Sequence, residues 1–275
     1  MNRAQIDGRE LEYEVRGAGE PVVLVHGAHI ADAFAPLLAE PVLAEQYRLI
    51  LYHRRGFAGS TPPDGPLSIA QHATDCRDLM HHLGVQCAHV VGHSSGGVIA
   101  LQLALDAPEA VHSLALLEPA LLTVPSAPQF VDAMGPVLQM YEAGNMAGAV
   151  DSFLQAVVGP EYRSVLDRVL PGAFAQAVAD ADAFFRIELP AVQQWSFTQA
   201  DAGRITQPVL AVIGADSHTL WPGWVEVHQR VQAWLPQVEA FVLEGATHGL
   251  QIINPKGMAA GLADFFARHP LPERP

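Results

Sequence analysis

The sequence predicts an α/β fold: a mostly parallel, doubly wound sheet of about eight strands with an inserted, all-helical cap. Three observations lead to this prediction. Short apolar runs that end in glycine, as in residues 21–27, alternate with stretches in which apolar residues have helical spacing. Residues 121–205 have helical spacing but no such runs. The chain has 275 residues, half of them apolar, which is enough for a sizeable core.

The N-terminal elements alternate between strand and helix patterns. Two short runs flank Asp7-Gly8, a dipeptide that favours the turn of a β-hairpin. The runs PVVLVHG (21–27) and YRLILYHRRG (47–56) are typical of strands buried on both faces, and ADAFAPLLAEPVLAEQ (31–46) between them is helix-like. Strand, helix and strand in this order predict a right-handed crossover between parallel strands.

The next elements surround a short glycine-rich turn. Ser68 is placed to cap a helix, IAQHATDCRDLMHHLG, that Gly84 ends. AHVVG then has the pattern of a strand, SGGVIALQLALDAP that of a helix, and VHSLALLEP that of a further strand.

The chain after residue 120 divides into a helical insertion and a second strand-rich part. Residues 121–205 are predicted to be helices interrupted by Pro160, Pro171 and Pro190. The strand pattern resumes with PVLAVIG and VEAFVLEG, accompanied by a helix near 224–234 and a final helix. We therefore expect a core domain made of residues 1–120 and 206–275 and a cap or lid domain made of residues 121–205.

The net charge of the chain excludes two classes of binding partner. Asp and Glu number 29 against 15 Lys and Arg, for a formal net charge of −14. Nucleic acid and anionic membrane surfaces are therefore not expected as partners, because both would be repelled. No N-terminal apolar leader and no run of about 20 apolar residues is present, so a cytoplasmic location is expected. The sequence does not indicate an oligomeric state.

A serine nucleophile is predicted at the turn VVGHSSGG. Only Ser94 has glycine two residues away on both sides, at Gly92 and Gly96. A strand precedes this serine and a helix follows it, which is the context in which a G-x-S-x-G turn raises a serine hydroxyl above a sheet. The glycines allow the strand and helix backbones to pass closely.

At this point the chain resembles the α/β-hydrolase superfamily, and in particular its serine hydrolases with a helical cap. The similar segments are VLVHGAH, YHRRGFAGS, VVGHSSGG, VLAVIGADS and EGATHGL, in the order that the family shows. One departure is His53, since an acidic residue commonly stands there. The resemblance implies an α/β-hydrolase fold and a catalytic triad that needs no cofactor.

The position of His248 after a strand predicts the base, and the resemblance to the family predicts the oxyanion hole. A serine hydroxyl needs a base to take its proton, and His248 follows the strand VEAFVLEG by a short loop, where functional residues of such sheets gather. It also matches the histidine of the superfamily in GATHGL. The resemblance places the oxyanion donors on the backbone N–H groups of Ala28 and Ser95. His89 and His93 are four residues apart but lie on a strand and its turn, not on one helix, so no metal is expected.

The third member of the triad has two candidates. Asp216 follows the strand that carries the acid in most of the superfamily, but it stands one residue before the usual position, which is Ser217. Glu118 ends the strand SLALLEP, and Pro119 is expected to hold it in an extended conformation. A carboxylate at the end of a buried strand needs a charged partner. We favour Glu118, with Asp216 as the alternative acid that otherwise caps its loop.

The substrate pocket is expected to be apolar and to lie between the cap and the nucleophile. Its proposed residues are His29, Tyr141, Phe185, Trp195 and Trp221. Glu188, a cap carboxylate close to Pro190, is expected at the surface, with an inward position as the alternative.

The resulting prediction is a serine hydrolase that cleaves a small to medium, largely apolar carboxylic ester or lactone, a small-molecule substrate, through an acyl-enzyme. A C–C bond hydrolase of diketones, an acyltransferase and a perhydrolase would use the same residues and stay as alternatives. A ligand-binding, receptor-like protein with slow or no turnover is the alternative from another class.

Overall fold

A computed structural model describes residues 1–272 of the chain, and they contain one eight-stranded sheet. Its strands are β1 (Asn2–Ile6), β2 (Arg9–Arg16), β3 (Glu20–Val25), β4 (Tyr47–Tyr52), β5 (Ala88–His93), β6 (Val111–Leu117), β7 (Val209–Gly214) and β8 (Val238–Leu243). Their spatial order is β1-β2-β4-β3-β5-β6-β7-β8. The β1–β2 and β2–β4 pairs are antiparallel and the other pairs are parallel. The predicted fold class is confirmed.

The hairpin between β1 and β2 forms at the predicted dipeptide. Asp7 has φ of 47° and Gly8 has φ of 79°. Ile6 pairs with Arg9, which leaves a two-residue turn. Positive φ at both central residues is the requirement of the type I′ turn that matches the twist of paired strands.

Helices cover both faces of the sheet. The α-helices in residues 1–272 are α1 (Pro41–Ala44), α2 (Ile69–His82), α3 (Ser95–Asp106), α4 (Ala127–Glu142), α5 (Met146–Val158), α6 (Tyr162–Val169), α7 (Ala173–Ala179), α8 (Leu189–Gln194), α9 (Gln199–Ala202), α10 (Gly223–Trp234), α11 (Leu250–Ile253) and α12 (Pro255–Arg268). Along β3, Val23 and Val25 belong to the apolar cluster that contains residues of α2, α3 and α10, while Val22 and Leu24 belong to the one that contains residues of α12. This double coverage explains the continuous apolar runs of the central strands.

The helix α2 begins where the sequence predicts. The Ser68 hydroxyl accepts the Gln71 N–H at 3.2 Å, and the Gln71 side chain accepts the Ser68 N–H at 2.8 Å, which together form a capping box. The helix ends at His82, two residues before Gly84, whose φ is 72°.

The helix expected over residues 31–46 is wrong in its extent. The segment forms only a 3₁₀-helix, Ala35–Ala39, and the single turn of α1. Pro36 and Pro41 each stand in the first turn of one of these pieces. Proline lacks the N–H that a helix interior requires, so each proline starts a new turn and the segment divides.

Residues 121–205, called the cap below, contain α4 to α9, a π-helix at Ala183–Glu188 and no strand. The buried apolar side chains of residues 134–189 form a cluster that also includes Ile30 and Phe57 from loops of the sheet, while those nearer the two ends of the cap join the cluster on the sheet. Pro160 and Pro171 lie between helices, and Pro190 lies in the first turn of α8. The division into a core domain and a cap domain stays a prediction.

His53, which departs from the family pattern, makes two side-chain contacts. Its buried ring bridges two carboxylates, with Nδ1 3.1 Å from Glu12 and Nε2 2.9 Å from Asp32. Burial opposes the imidazolium, but the hydrogen bonds and charges of Asp32 and Glu12 outweigh it and raise the pKa of His53. In its protonated form the ring ties β2 to the loop after β3 through both ion pairs.

This bridge predicts a pH dependence of stability. A raised pKa means that the contribution of His53 is fully present below its ordinary value of about 6.5 and is lost as pH rises through the folded-state pKa. The free energy of unfolding should fall over that range, by at most about 1.4 kcal/mol per pH unit for one proton. Urea unfolding from pH 5.5 to 9 measures the slope. The His53→Gln variant should lack this component, and identical slopes in both proteins would contradict the prediction.

Candidate active site

Ser94 lies at a strained turn between β5 and α3. Its φ of 55° and ψ of −121° are unusual for a residue with a side chain. A Cβ on Gly92 would lie 2.4 Å from the carbonyl oxygen of Gly96, and one on Gly96 would lie 2.1 Å from that of Val25. Both glycines are therefore required for the close approach of β5, α3 and β3. The turn has the form of a nucleophile elbow.

His248 is paired with Glu118. Nδ1 of His248 donates to Oε2 of Glu118 at 2.7 Å, and the N–H of Gly214, at the end of β7, donates to the other carboxylate oxygen at 2.9 Å. Both side chains are buried, with 4% and 0% of their surface exposed. A proton on Nδ1 leaves Nε2 of the neutral ring as a proton acceptor. His248 and Ser94 line the same cavity.

The backbone at Glu118 differs from the expectation. Its φ of 42° lies in the left-handed region, so the predicted extended conformation is wrong. The N–H of Glu118 still donates to the carbonyl of Val212 on β7 at 3.2 Å, while the N–H of Ala120 donates to the carbonyl of Ser94 at 3.0 Å. The chain therefore turns sharply at Glu118, above the end of β7, and these contacts outweigh the local preference of a residue before proline.

The side chain of Asp216 is not part of this pair. It is exposed, stands at the start of a 3₁₀-helix, Ser217–Thr219, and makes no side-chain capping bond. Only its carbonyl caps the turn, accepting the N–H of Thr219 at 3.0 Å and its hydroxyl at 2.7 Å. The structure thus brings Glu118, and not Asp216, to His248.

Two contacts of His248 escaped the sequence reasoning. Trp224 stacks on its ring with centroids 3.9 Å apart and planes 15° apart. His93 donates from Nε2 to the backbone carbonyl of His248 at 2.8 Å. Burial and the neighbouring His248 lower the pKa of His93, so its ring is neutral and serves as a fixed donor. Neither contact has a local signal, because the partners are distant in sequence.

The stacked indole predicts a selective effect on turnover. A face-on tryptophan stabilises a cation by about 1 to 2 kcal/mol when water is excluded. If His248 is the base that the sequence predicts, it becomes a cation during proton transfer, and Trp224→Leu is expected to lower kcat by about 5- to 30-fold. Trp224→Phe keeps a ring on the imidazole and should retain most of the activity. The test is kcat for p-nitrophenyl acetate; equal kcat values for the wild type and Trp224→Leu would contradict it.

The two predicted oxyanion residues also border the cavity. Ala28 follows β3 and Ser95 is the first residue of α3, and both line the space beside Ser94. The first N–H groups of a helix lack partners within that helix, so the N–H of Ser95 can serve a ligand. The role of both groups as oxyanion donors stays a proposal.

A buried ion pair connects the cap to the loop that carries Ala28. Arg54 contacts Glu188 through Nη1, and its Nη2 donates to the carbonyl of Gly27 at 2.9 Å. Arg54 is 1% exposed and Glu188 0%. The expectation that Glu188 lies at the surface is therefore wrong. It ends the π-helix of the cap, which points its carboxylate toward the core, where a cation compensates its burial.

The cavity at Ser94 is small, with a volume of about 40 Å³, and mostly apolar. Trp221 is one of its lining residues. The others are Ala28, Ser94, Ser95, Ala120, Leu122, Phe130, Phe153, Val157, Phe184, Leu189, Val192, Trp224 and His248. The aromatic and aliphatic side chains from the cap outnumber the polar groups.

The other four predicted pocket residues are not among the lining. His29 packs among Phe153, Phe184 and Phe185, and burial lowers its pKa to about 3. The ring of Phe185 packs against the rings of His29 and Tyr141. The Tyr141 hydroxyl donates to Asp182 at 2.5 Å, and Trp195 Nε1 donates to Gln102 at 2.6 Å. These contacts direct the four side chains to other parts of the cap and core.

In residues 1–272, no group of three or more His, Cys, Asp or Glu side chains is arranged to hold a metal ion. None of the helices described there combines the length and apolarity that crossing a membrane requires.

Known proteins are similar to this chain in sequence and in structure. A sequence profile for the alpha/beta hydrolase fold matches residues 20–255. A protein of Variovorax paradoxus (strain S110), provisionally named a carbamate hydrolase, is 30% identical over 278 residues, 96% of this chain and 99% of that protein. A protein of Azorhizobium caulinodans with the same provisional name is 40% identical over 108 residues, and the match spans 39% of this chain and only 40% of that relative. A carboxylesterase from Bacillus subtilis superimposes with a TM-score of 0.79 at 19% identity, over 97% of this chain and 91% of that one.

Proposed function

This chain belongs to the alpha/beta hydrolase fold family, and from that premise we propose that it is a serine hydrolase that cleaves a small to medium, largely apolar carboxylic ester or lactone through an acyl-enzyme. The observation that carries the proposal is the buried hydrogen bond of 2.7 Å between His248 and Glu118, beside a cavity that Ser94 also lines. A nucleophile, a base and an acid that orients the base make up the set that acyl transfer requires.

The proposed mechanism assigns one step to each group. Nε2 of His248 takes the proton of the Ser94 hydroxyl as its oxygen attacks the carbonyl carbon, and Glu118 stabilises the imidazolium through Nδ1–H. The N–H groups of Ala28 and Ser95 stabilise the oxyanion. His248 then gives its proton to the departing alcohol. Water, activated by the same base, attacks the acyl-enzyme and releases the acid and Ser94.

The cavity supports the substrate class. Phe130, Phe153 and Phe184 together with Leu189 and Val192 bring apolar groups from the cap to the space beside Ser94. A charged group would have no counter-ion among these side chains and would be costly to desolvate. An uncharged ester or lactone with an apolar body fits this lining.

A carbamate ester is the second candidate. It is favoured by the relative of Variovorax paradoxus, which matches nearly the whole chain and is provisionally named a carbamate hydrolase. The carbonyl of a carbamate can be attacked by Ser94 in the same way, giving a carbamoyl-enzyme in place of an acyl-enzyme. C–C bond cleavage, acyl transfer and perhydrolysis use the same first steps, and substrate screening separates them.

The test combines a covalent probe with substrate turnover. The protein should be labelled at Ser94 by a fluorophosphonate and should release p-nitrophenol from p-nitrophenyl acetate, with both signals lost in Ser94→Ala. Release from p-nitrophenyl N-methylcarbamate measures the second candidate in the same assay. A protein that is neither labelled nor active on esters, lactones or carbamates would overturn the proposal and favour a ligand-binding role.

A further inference from the structure

A second, larger space lies next to the cavity at Ser94. It is a cleft of about 310 Å³ between the cap and the loop that carries His248, whereas the cavity at Ser94 measures about 40 Å³. The cleft is thus several times larger than the space at Ser94. A substrate with a long chain would extend beyond the smaller space, and the cleft has the volume of a ligand site.

The wall of the cleft is apolar. Its side chains include Ile30, Leu154, Val165, Leu166, Leu220 and Ile252. Its hydroxyl groups already have partners: Thr247 donates to the carbonyl of Val158 at 2.6 Å, Thr219 donates to that of Asp216 at 2.7 Å, and Tyr162 donates to Asp151. Among the polar side chains that line the cleft this leaves the exposed carboxylate of Glu161, so most of the wall fits a hydrocarbon chain.

The two spaces are bordered by residues that are neighbours in the sequence. On α5, Phe153 and Val157 line the cavity at Ser94, while their neighbours Leu154 and Val158 line the cleft. On the opposite side, His248 lines the cavity and the adjacent Thr247 and Gly249 line the cleft.

The wall between the two spaces has a contact of Val158 with Gly249, which we call the seam. A Cβ on Gly249 would come within 2.8 Å of the Val158 side chain, so the absence of a side chain there allows the contact. The hydrogen bond from Thr247 to the Val158 carbonyl fixes the end of α5 at the same place. A displacement of this end of α5 would join the two spaces beside His248.

Two other large cavities are less suited to an apolar chain. One, of about 660 Å³, is bordered by Ser68, Gln71 and Gln102, and the other, of about 460 Å³, by Asp64, Asp180 and Asp182. Neither includes a residue next to Ser94 or His248 among its lining.

We propose that the cleft binds an aliphatic chain of the substrate, which reaches it from Ser94 through the seam between Val158 and Gly249. The inference rests on the proposed hydrolase function and adds the substrate class: esters with one medium-length hydrocarbon chain. The chain is on the acyl side or on the alcohol side of the ester, since both present the same hydrocarbon to the wall.

The test fills the cleft and measures chain-length preference. Wild-type kcat/KM should rise from p-nitrophenyl acetate to the octanoate, by at most about fourfold for each methylene that becomes buried. Val165→Trp places a large side chain in the cleft and should lower the octanoate-to-acetate ratio of kcat/KM at least tenfold. Val169→Trp is the matched control: it lies one turn further along α6, is likewise half-buried, does not line the cleft, and should keep the wild-type ratio.

A second filling variant and a second series complete the design. Leu220→Phe fills the cleft from the opposite wall if Val165→Trp does not fold. Octyl and ethyl acetate repeat the comparison for the alcohol side, and a loss confined to one series identifies the side that enters the cleft. Ratios within twofold of the wild type in both series, with filling variants that fold, would overturn the inference. If the wild type is not labelled at Ser94 and does not hydrolyse p-nitrophenyl acetate, the hydrolase function itself is rejected.

Discussion

Replacing Glu118 by Gln is expected to lower kcat for ester hydrolysis by roughly 10³- to 10⁴-fold, because a neutral amide cannot orient and stabilise the imidazolium. The Gly214 N–H makes the effect larger. It donates to Oε1 of Glu118, so the amide oxygen of the variant would turn toward Gly214 and its NH₂ group toward Nδ1 of His248. Nδ1 would then become an acceptor and the ring proton would move to Nε2, the atom that must take the proton of Ser94.

The measurement is steady-state hydrolysis of p-nitrophenyl acetate, together with circular dichroism to show that the variant is folded. Asp216→Asn is the matched control, and its kcat should stay within twofold of the wild type because the Asp216 side chain is exposed and Nδ1 of His248 is bonded to Glu118 instead. The reverse ranking of the two variants would assign the acid of the triad to Asp216.

Replacing Glu188 by Ala is expected to lower the free energy of unfolding by about 3 to 5 kcal/mol. The guanidinium of Arg54 is 1% exposed and would lose its carboxylate partner while still buried. An uncompensated charge of this kind costs far more than the loss of a surface ion pair, which is worth about 0 to 1 kcal/mol. The carboxylate is also one of the links between the cap and the Gly27 loop, because the same guanidinium donates to the Gly27 carbonyl.

Urea unfolding of the wild type and the variant measures this difference. Glu161→Ala serves as the control, since Glu161 is another cap carboxylate but is exposed. Its replacement should change the free energy of unfolding by no more than about 0.5 kcal/mol. A change below about 1 kcal/mol for Glu188→Ala would mean that Arg54 finds another partner or water when the carboxylate is removed.

The fold was predictable because its signals are local. The dipeptide Asp7-Gly8, the capping residue Ser68 and the apolar runs of the strands each act within a few residues of the chain. The expectation failed over residues 31–46, where apolar spacing suggested one helix and two prolines divided it. Here the backbone chemistry of Pro36 and Pro41 outweighed the pattern of side chains.

In the candidate site, too, the residues with a local sequence signal were predictable and the long-range contacts were not. Ser94 and His248 stand in motifs, and Glu118 stands at a strand end, so sequence reasoning could point to all three. The contacts of Trp224 with His248 and of Glu188 with Arg54 join distant parts of the chain and depend on how the cap and α10 pack. The π-helix Ala183–Glu188 adds a further difficulty, because its hydrogen bonding shifts the angular spacing of side chains away from the 3.6 residues per turn that pattern reading assumes.

The adjacency of β6 and β7 has a consequence for evolution. Glu118 follows β6, and the N–H of Gly214 at the end of β7 holds its carboxylate, so the ends of the two strands meet at one point above the sheet. A carboxylate from either strand end could approach His248 without a change of fold. If Glu118 is the acid, the loop after β7 is released from catalysis and is free to diverge. A search that looks for the acid only in that loop would then assign the role to Asp216 and overlook Glu118.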